Sequence, residues 1–487
     1  MTATRDPRID TGPGLGERLA ALLAMTTTTT TARDGDAPVL VSATLPAPAA
    51  DPVSLYAAAV EVGLEAALWR RPSEGSAFVG IGRAWATEPS GDGRFHAAEA
   101  AWRALLAGAR LDRAPDGARG TGPVLLGAMG FTGREPATDD AWAPFGASSL
   151  VLPSLTLAVS PTGSTVTASV VGGEADPRDL ERVWRSLLER ARELAPSPNG
   201  IVAMPVFAPL VVADEQPSKD VFKRLVGMFA GAVGRGRIDK VVLARRVGMR
   251  SPVELDVVNA LRRLSVSAPE STTYAFRRDG RTFLGATPER LVRTEGRTFH
   301  TVAVAGTIRR GAGPEEDAEL GRRLLASEKD REEHAIVVDA IRGLLEPVSD
   351  SLAVAPEPGV MTLRYVQHLV TEISGTVPEG HGLLALGERL HPTPAVGGDP
   401  RDVALALIDE HEGFDRGWYA GPIGWLGADG DGELCVALRC GIVDRTRATL
   451  FAGCGIVADS DPDQEWEESR IKLQAVISAL GIPGEDA

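Results

Sequence analysis

The chain has 487 residues and a hydrophobic fraction of 44%, enough to bury a sizeable core, which excludes an intrinsically disordered protein. Its formal net charge of -15 argues against a nucleic-acid partner, because phosphate binding requires a basic face and no basic stripe is present. The three cysteines form no Cys-x-x-Cys pair, so they predict neither a disulfide framework nor a zinc site.

Residues 1–37 are expected to form a disordered or loosely attached N-terminal tail. Within this tail, GLGERLAALLAM predicts a short amphipathic helix, whereas the threonine run and ARDGDAP after it offer little to a core. The sequence shows neither a secretory signal nor an apolar run long enough to cross a membrane. We therefore expect a cytoplasmic protein that does not bind membranes.

The next part of the chain is dominated by predicted β-strands with turn residues at their ends: SAFVGIGRAW, GPVLLGAMGF, SLVLPSLTLAV and GSTVTASVVG. Two predicted helices interrupt or follow them: GRFHAAEAAWRALLAGAR and DPRDLERVWRSLLERARELA. A proline-rich connection near residues 195–210 leads into the second half of the chain.

The second half mixes both kinds of element. Its predicted helices are SKDVFKRLVGMFAGAVGRG, VELDVVNALRRLS, a long helix over about 314–346, DVALALIDEHEG, and residues 462–480. Its predicted strands are KVVLARRVGMR, TTYAFRR, RTFLGAT, a region around 298–307, YAGPIGWLG, ELCVALRCGIV and TLFAGCGIV. Because turns join consecutive strands as often as helices do, the pattern predicts an α+β fold.

Two of the predicted helices carry stripes of charged side chains. Asp330 and Glu333 lie three residues apart and share one helical face. In the last helix, Glu465, Glu468 and Lys472 also share a face. Carboxylates on solvated helix faces are common, and for either helix alone this is the better explanation. Two such stripes meeting across a cavity would, however, offer the oxygen ligands that Mg²⁺ prefers.

Ten motifs occur in one order along about residues 217–480: KVVLARR, GATPERLV, VAGTIRRG, SEKDREEH, RYVQHLVTEISG, LHPTPAVGG, DRGWYAGPIGW, CVALRCGIV, FAGCGIV and EWEESRIKLQA. No single motif is decisive, but their order makes this part of the chain resemble the chorismate-utilising enzymes. That family includes isochorismate, salicylate, anthranilate and aminodeoxychorismate synthases. The resemblance implies that residues 38–482 form one large domain of antiparallel β-sheets packed together, with helices on the outside, and that residues 217–480 bind chorismate.

The resemblance also implies a Mg²⁺ site. Glu333 and Glu468 match the two metal ligands of the family, and Asp330 and Glu465 match the carboxylates that orient those ligands. Lys472 resembles a family lysine near the metal-bound carboxylate. The other family positions that contact substrate are matched by Gly306, Thr307, His368, Ala395, Tyr419, Arg439, Gly453 and Gly455. Among these, Arg439 and Tyr419 resemble the groups that hold a substrate carboxylate.

Two residues match the groups that transfer protons in the family. Lys240 resembles the lysine that activates water in isochorismate-forming members, although lysine at a strand edge more often guards against strand pairing. Glu289 resembles the general acid, and a surface glutamate in a Thr-Pro turn is the alternative. As a base, Lys240 must lose its proton, which requires burial and nearby positive groups. As an acid, Glu289 must be held protonated by burial or a neighbouring carboxylate.

The implied activity is that of an isomerase, a hydroxymutase that reversibly adds water at C2 of chorismate and releases the C4 hydroxyl. Within the family, Lys240 favours water over ammonia as the nucleophile. Ala395 stands where lyase-type members carry threonine, which favours release of isochorismate over elimination of pyruvate. The sequence also lacks a glutamine amidotransferase signature. We therefore expect an isochorismate synthase of menaquinone or siderophore biosynthesis.

Two alternatives remain at this point: a salicylate synthase, and a non-catalytic homologue that only binds chorismate. Loss of Lys240, Glu289, Glu333 or Glu468 would mark a non-catalytic homologue, and all four are present. Apart from chorismate and Mg²⁺ we expect no obligatory partner, and family resemblance implies a monomer.

Overall fold

Two large β-sheets form the frame of the protein. A computed structural model describes residues 14–27, 38–112, 119–172, 176–196, 209–362 and 366–483. Eleven α-helices lie in these ranges: α1 (Leu15–Thr27), α2 (Pro52–Glu61), α3 (Arg94–Ala107), α4 (Pro177–Leu194), α5 (Lys219–Gly234), α6 (Val257–Ser267), α7 (Pro314–Ala326), α8 (Glu328–Leu345), α9 (Leu383–Leu390), α10 (Arg401–His411) and α11 (Pro462–Leu480).

The same ranges contain 24 strands. In the first half of the chain they are β1 (Leu40–Pro46), β2 (Ala66–Arg71), β3 (Ser76–Ile81), β4 (Trp85–Thr87), β5 (Arg110–Asp112), β6 (Val124–Met129), β7 (Ser148–Leu152), β8 (Leu155–Ser160), β9 (Gly163–Val171), β10 (Pro209–Gln216) and β11 (Lys240–Arg250). The remaining strands are β12 (Thr272–Arg278), β13 (Arg281–Thr287), β14 (Arg290–Glu295), β15 (Thr298–Arg309), β16 (Ser351–Val354), β17 (Gly359–Thr362), β18 (Val366–Thr376), β19 (Gly398–Asp399), β20 (Pro422–Gly427), β21 (Gly432–Val436), β22 (Cys440–Asp444), β23 (Arg447–Ile456) and β24 (Ile482–Pro483).

The first sheet has 14 strands in the order β24-β10-β11-β23-β22-β13-β12-β2-β3-β8-β9-β1-β5, with β19 paired to β11. The second has 10 strands in the order β16-β18-β15-β14-β21-β20-β6-β7-β4, with β17 paired to β18. Pairing is antiparallel apart from β1 with β5 and β10 with β24. The predicted α+β fold of antiparallel sheets with packed helices is confirmed.

The two faces of the first sheet belong to different parts of the core. On β12, Tyr274 and Phe276 join the cluster shared with the second sheet, whereas Ala275 between them joins a cluster shared with α2, α4, α6 and α11. This alternation follows from the two-residue repeat of a strand, which sends successive side chains to opposite faces. None of the described helices is long and apolar enough to span a bilayer.

Three helices begin with the same local signal, an Asp N-cap followed by Pro. Asp51, Asp176 and Asp461 each accept a hydrogen bond from a backbone N–H in the first turn of α2, α4 and α11. The following proline fits because its missing N–H lies where a helix has no carbonyl partner for it. The predicted extent of α11, residues 462–480, agrees with its observed bounds.

The amphipathic helix expected near the N-terminus is present as α1. It packs on α4 through the buried Leu15 and Leu19, and the backbone N–H of Gly16 donates to Glu181. These contacts differ from the loose attachment expected for the whole of residues 1–37. Residues 1–13 and 28–37 lie outside the described part of the chain, and the division into a tail and one domain stays a prediction.

Two predicted elements are wrong because each is divided. The single helix expected over about 314–346 is α7 and α8, separated at Ser327, whose hydroxyl accepts a hydrogen bond from Asp330 N and so starts a new helix. The single strand expected in ELCVALRCGIV is β21 and β22, which belong to different sheets. Between them Arg439 has a φ of 50°, outside the strand region.

Candidate active site

The chain crosses between the two sheets at two neighbouring places, and each crossing carries a predicted site residue. Glu289 lies between β13 and β14, and Arg439 lies between β21 and β22. The crossings are bonded to each other: Ala286 N donates to Arg439 O at 3.2 Å, and Val436 N donates to Glu289 O at 3.0 Å. These bonds bring together Glu289 and Arg439, whose carboxyl and guanidinium groups are 150 residues apart in sequence.

Lys240 lies across the surface of β23. It is the first residue of β11, and its neighbour Val242 on the same face pairs with Gly455. A Cβ atom on Gly455 would lie 2.5 Å from Cε and 3.2 Å from Nζ of Lys240. Glycine at this position therefore leaves the space that the lysine side chain occupies.

Tyr419 is held above the same strand. Its ring stacks on Phe451, with centroids 5.4 Å apart and an interplanar angle of 15°. Its hydroxyl lies over Gly453, where a Cβ atom would stand 2.9 Å from the oxygen. Burial raises the pKa of Tyr419, so the phenol stays protonated and is able to donate a hydrogen bond.

Helix α11 presents its charged stripe to the end of β23. Nζ of Lys472 donates to Gly453 O at 2.8 Å and lies 2.6 Å from Oε1 of Glu468. Glu465 accepts a hydrogen bond from the Ser460 hydroxyl at 2.7 Å. The predicted residues of this helix thus reach the strand that also borders Lys240.

The second sheet contributes the opposite side through β15, β18 and α8. A bulge in β15 places Gly306 at a φ of 74°, and a Cβ atom there would lie 3.3 Å from Cβ of Asp330. Next to it, Thr307 Oγ1 is 2.9 Å from Nδ1 of His368, and Gly306 O is 3.2 Å from the same nitrogen. Because a carbonyl only accepts, Nδ1 carries the hydrogen.

His368 faces Arg439 across the site. Burial lowers the pKa of His368, and the nearby charge of Arg439 lowers it further, whereas the hydrogen bond to Gly306 acts in the opposite direction. The imidazole is therefore neutral at physiological pH. This electrostatic contact links the second sheet to the crossing between β21 and β22.

Glu289 lies among positive groups yet keeps a raised pKa. Burial raises the pKa of its carboxyl, and the charges of Lys240, Arg439 and Lys472 offset part of this rise. Burial also lowers the pKa of Arg439, which the nearby Tyr419, Glu468 and Glu289 oppose. The structure thus brings Lys240, Glu289, Arg439, Lys472 and Glu468 into one electrostatically connected site.

The described residues include one group of side chains suited to a metal ion: Cys454, Glu465 and Glu468, whose ligand atoms all lie within 4.8 Å of one another. Burial raises the pKa of Cys454 to about 12, and its thiol donates to Glu465 O at 3.3 Å. Burial and the neighbouring Glu468 raise the pKa of Glu465, while the Ser460 hydrogen bond opposes the rise. The two neighbouring carboxylates offer the oxygen ligands that a hard cation such as Mg²⁺ prefers.

The two remaining predicted residues, Glu333 and Ala395, lie in α8 and in the turn before β19. The backbone of Glu333 lies in α8, one turn from Asp330, and its side chain lies outside the described part of the structure. Ala395 lies in a turn in which Thr393 O accepts from the N–H groups of Val396 and Gly397, and its methyl group is exposed.

Sequence reasoning gave no role to Glu412 and Arg416, which form a buried ion pair directly behind β11. The sequence shows a glutamate and an arginine four residues apart, with Arg416 inside the motif DRGWYAGPIGW and Glu412 three residues before it. Such spacing is more typical of an exposed pair at a helix end, so the sequence did not indicate that this pair is buried.

Comparison with known proteins gives consistent matches over nearly the whole chain. The family described as "Chorismate binding enzyme" matches residues 25–481. "Salicylate biosynthesis isochorismate synthase" of Pseudomonas aeruginosa is 38% identical over 452 residues, which are 92% of each chain. "Isochorismate synthase MenF" of Bacillus subtilis is 36% identical over 366 residues, 74% of this chain and 75% of the relative.

A solved structure gives the same result for the fold. The menaquinone-specific isochorismate synthase MenF from Escherichia coli superimposes with a TM-score of 0.73 at 25% sequence identity. The match covers 95% of this chain and 99% of that one.

Proposed function

The chain belongs to the chorismate-binding enzyme family and acts as an isochorismate synthase, and we propose that Lys240 and Glu289 transfer the protons of its reaction. The observation that carries this proposal is the position of Glu289: it lies at the crossing that is hydrogen-bonded to that of Arg439, close to Lys240, and burial raises the pKa of its carboxyl. A protonated carboxyl and an amine at one site are the groups that an exchange of hydroxyls requires.

The reaction moves a hydroxyl group from C4 to C2 of the chorismate ring. Lys240, in its neutral form, takes a proton from the water that attacks C2, and the ring double bonds shift. Glu289 donates its proton to the C4 hydroxyl, which leaves as water. Lys240 and Glu289 therefore act on opposite faces of the ring. Water enters and water leaves, and exchange with solvent then removes the proton from Lys240 and returns one to Glu289, so atoms and charges balance and the reaction is reversible.

The substrate is an anion, and the side chains of Arg439 and Tyr419 are available to bind its carboxylate. Arg439 presents a guanidinium that is able to pair with a carboxylate through two hydrogen bonds. The protonated hydroxyl of Tyr419 lies over Gly453 of β23 and is a second donor for that carboxylate. Gly453 and Gly455 leave room over the strand for the Tyr419 hydroxyl and the Lys240 side chain, which would otherwise be displaced from the substrate. Gly306, Thr307 and His368 would border the ring from the second sheet.

Mg²⁺ is the proposed cofactor. Glu468 and Glu333 would bind the ion, and Asp330 and Glu465 would orient these two ligands. The fit rests on the carboxylates of Glu465 and Glu468, whose oxygen atoms lie within 4.8 Å of one another. When bound, the ion neutralises the ring carboxylate and makes the ring a better electron acceptor. Glu465 in turn is held in place by the Ser460 hydroxyl.

The competing activity is that of a salicylate synthase, which would eliminate pyruvate after forming isochorismate. Ala395 opposes this second step, because its methyl group offers no hydroxyl to the substrate. Incubation of the purified protein with chorismate and MgCl₂, followed by chromatography and a pyruvate assay, tests the proposal. We expect isochorismate without pyruvate; accumulation of salicylate and pyruvate would support the competing activity instead.

The same assay tests the base. Lys240→Ala should lower kcat by at least about 100-fold, the usual contribution of a positioned base. Lys240→Arg is the matched control, because arginine keeps the positive charge but does not give up its proton in proteins. Both variants should therefore show the same loss in kcat, at least about 100-fold. Activity near the wild-type rate in either one contradicts the role given to Lys240.

A further inference from the structure

One edge of β11 has a gap in its strand pairing. On one side, β11 pairs with β23 over Val241–Arg250. On the other side, it pairs with β19 at Lys240 and Val241 and with β10 at residues 246–250. Between these two partners, the described part of the chain supplies no strand for residues 242–245. The polar backbone groups of this buried stretch still need hydrogen-bond partners.

A pair of buried side chains fills this gap. Glu412 follows the last residue of α10, and its carboxylate accepts from Ala244 N at 2.7 Å. Arg416 donates from Nη2 to Val242 O at 2.8 Å. The N–H of Val242 donates to Gly397 O at 2.9 Å. Two side chains and one turn thus take the place of a neighbouring strand, next to the residue proposed as the general base.

The two side chains are also bound to each other. Glu412 and Arg416 are 2% and 3% exposed, and Nε of Arg416 donates to Oε2 of Glu412 at 2.8 Å, with Nη2 donating to Oε1. A buried ion pair contributes little net stability unless its remaining groups are hydrogen-bonded. Arg416 meets this condition, since Nη1 donates to Val396 O at 2.8 Å. All three of its nitrogens are therefore engaged.

The contacts of Arg416 reach three separate parts of the proposed active site. Val242 is two residues from Lys240 on β11. Val396 directly follows Ala395 in its turn. Tyr419 N donates to Arg416 O at 2.9 Å, and the guanidinium lies 6.0 Å from the centre of the Tyr419 ring. Arg416 thus connects three parts of the proposed site: β11 next to Lys240, the turn that contains Ala395, and Tyr419.

We propose that Glu412 and Arg416 are positioning residues of the reaction, which fix Lys240, Ala395 and Tyr419 relative to one another. The proposal rests on the roles given to those three residues. It goes beyond them because neither member of the pair needs to touch the substrate. Its physical basis is that reacting groups must be held to within a fraction of an ångström, and a displacement of about 1 Å costs about 100-fold in rate.

Arg416→Lys tests the pair. Lysine keeps the charge but carries a single nitrogen, which is unable to replace the fork that binds Glu412, Val242 O and Val396 O together. We expect kcat to fall by about 10- to 100-fold, with a change in the KM for chorismate of no more than about threefold. A kcat within about threefold of the wild-type value would overturn the proposal.

Arg262→Lys is the matched control for a loss of stability alone. Arg262 also binds two groups at once, donating to Leu194 O at 2.9 Å and to the Ser54 hydroxyl at 3.1 Å, but it joins α6 to α2 and the end of α4 in the other part of the core. Its lysine variant should lower Tm comparably and leave kcat within about twofold. If kcat falls equally in both variants at equal loss of Tm, the role of Arg416 is only structural.

A double variant keeps the test decisive if Arg416→Lys folds poorly. Glu412→Gln/Arg416→Gln buries no charge, so the cost of desolvating an imperfectly bonded ion pair is absent and Tm should exceed that of Arg416→Lys. We expect kcat to stay at least about 10-fold low, because the glutamine amide does not reach Val242 O and Val396 O together. Recovery of kcat together with Tm contradicts the proposal. Lys240→Ala, measured in parallel, shows separately whether the proposed base is correct.

Discussion

The side chain of Lys240 passes directly over Gly455, so a methyl group on residue 455 would lie 2.5 Å from Cε of the lysine. The glycine is the penultimate residue of β23, in its antiparallel pairing with β11, where any residue type other than proline would make the same backbone hydrogen bonds. Its absent side chain therefore matters to Lys240 rather than to the strand. A side chain added at residue 455 should therefore affect catalysis through Lys240 more than it affects the stability of the fold.

Gly455→Ala should displace the Lys240 amine without unfolding the protein. Because the flexible lysine is able to move aside, we expect Tm to change little, while kcat falls by about 10- to 100-fold. Gly227→Ala is the control: a Cβ atom there meets no atom within 4 Å, and the exposed interior of α5 should become slightly more stable. An alanine variant at 455 with wild-type kcat would show that Lys240 tolerates displacement and is not the base.

The pH dependence of the reaction should report the ionisation of Glu289. Burial raises the pKa of this carboxyl, and only its protonated form is able to act as the acid. We therefore expect kcat to fall as the pH rises through that raised pKa. Glu289→Gln should lower kcat by at least about 100-fold in both directions of the reaction and should lack this pH-dependent fall in residual activity. An unchanged pH profile in the variant would assign the fall to another group.

The same shift gives a prediction for stability. Because the folded state favours the protonated form of Glu289, the stabilisation from this shift is present below the ordinary carboxyl pKa and is lost as the pH rises through the raised value. Measured by thermal unfolding, the wild-type Tm should therefore decline relative to that of Glu289→Gln as the pH increases. A constant difference between the two proteins across this range would mean that Glu289 does not carry the shift.

Local patterns predict the elements that depend on local signals. The Asp461-Pro462 start of α11 and the apolar run of β11 are readable directly from the sequence, because capping and strand propensity act over a few residues. The division between β21 and β22 is not, since its apolar run contains neither glycine nor proline at residues 437–439. The break arises from the passage of the chain between two sheets, which is a tertiary feature.

In the candidate site, too, some residues could be predicted from the sequence and others depend on tertiary structure. Its motif residues were found by family resemblance, and the structure places Lys240, Glu289 and Arg439 near one another. The burial of Glu412 and Arg416 could not be inferred, because it depends on an unpaired strand edge about 170 residues earlier in the chain, where Ala244 N meets the Glu412 carboxylate. Charged side chains are usually solvated, so sequence patterns alone favour the wrong environment.

The metal site is testable through its individual carboxylates. Glu468→Gln should raise the Mg²⁺ concentration for half-maximal activity by at least about 10-fold, whereas Cys454→Ala should leave it within about twofold, because Mg²⁺ prefers oxygen to sulfur ligands. Glu467→Gln is the matched control, since Glu467 is the adjacent exposed residue and pairs with Arg470. Titration of EDTA-treated protein with MgCl₂ measures all three. Equal responses of Glu468→Gln and Glu467→Gln would remove Glu468 from the metal site.

The product should depend on the side chain at position 395. Ala395 is exposed in its turn, so a threonine fits there with little loss of stability, and it introduces the residue that lyase-type members of the family carry at this position. We expect Ala395→Thr to release some pyruvate and salicylate together with isochorismate. Ala395→Val separates shape from chemistry, because valine matches threonine in size but has no hydroxyl. Pyruvate from the threonine variant alone supports the assignment; its absence from both variants shows that residue 395 does not determine the product.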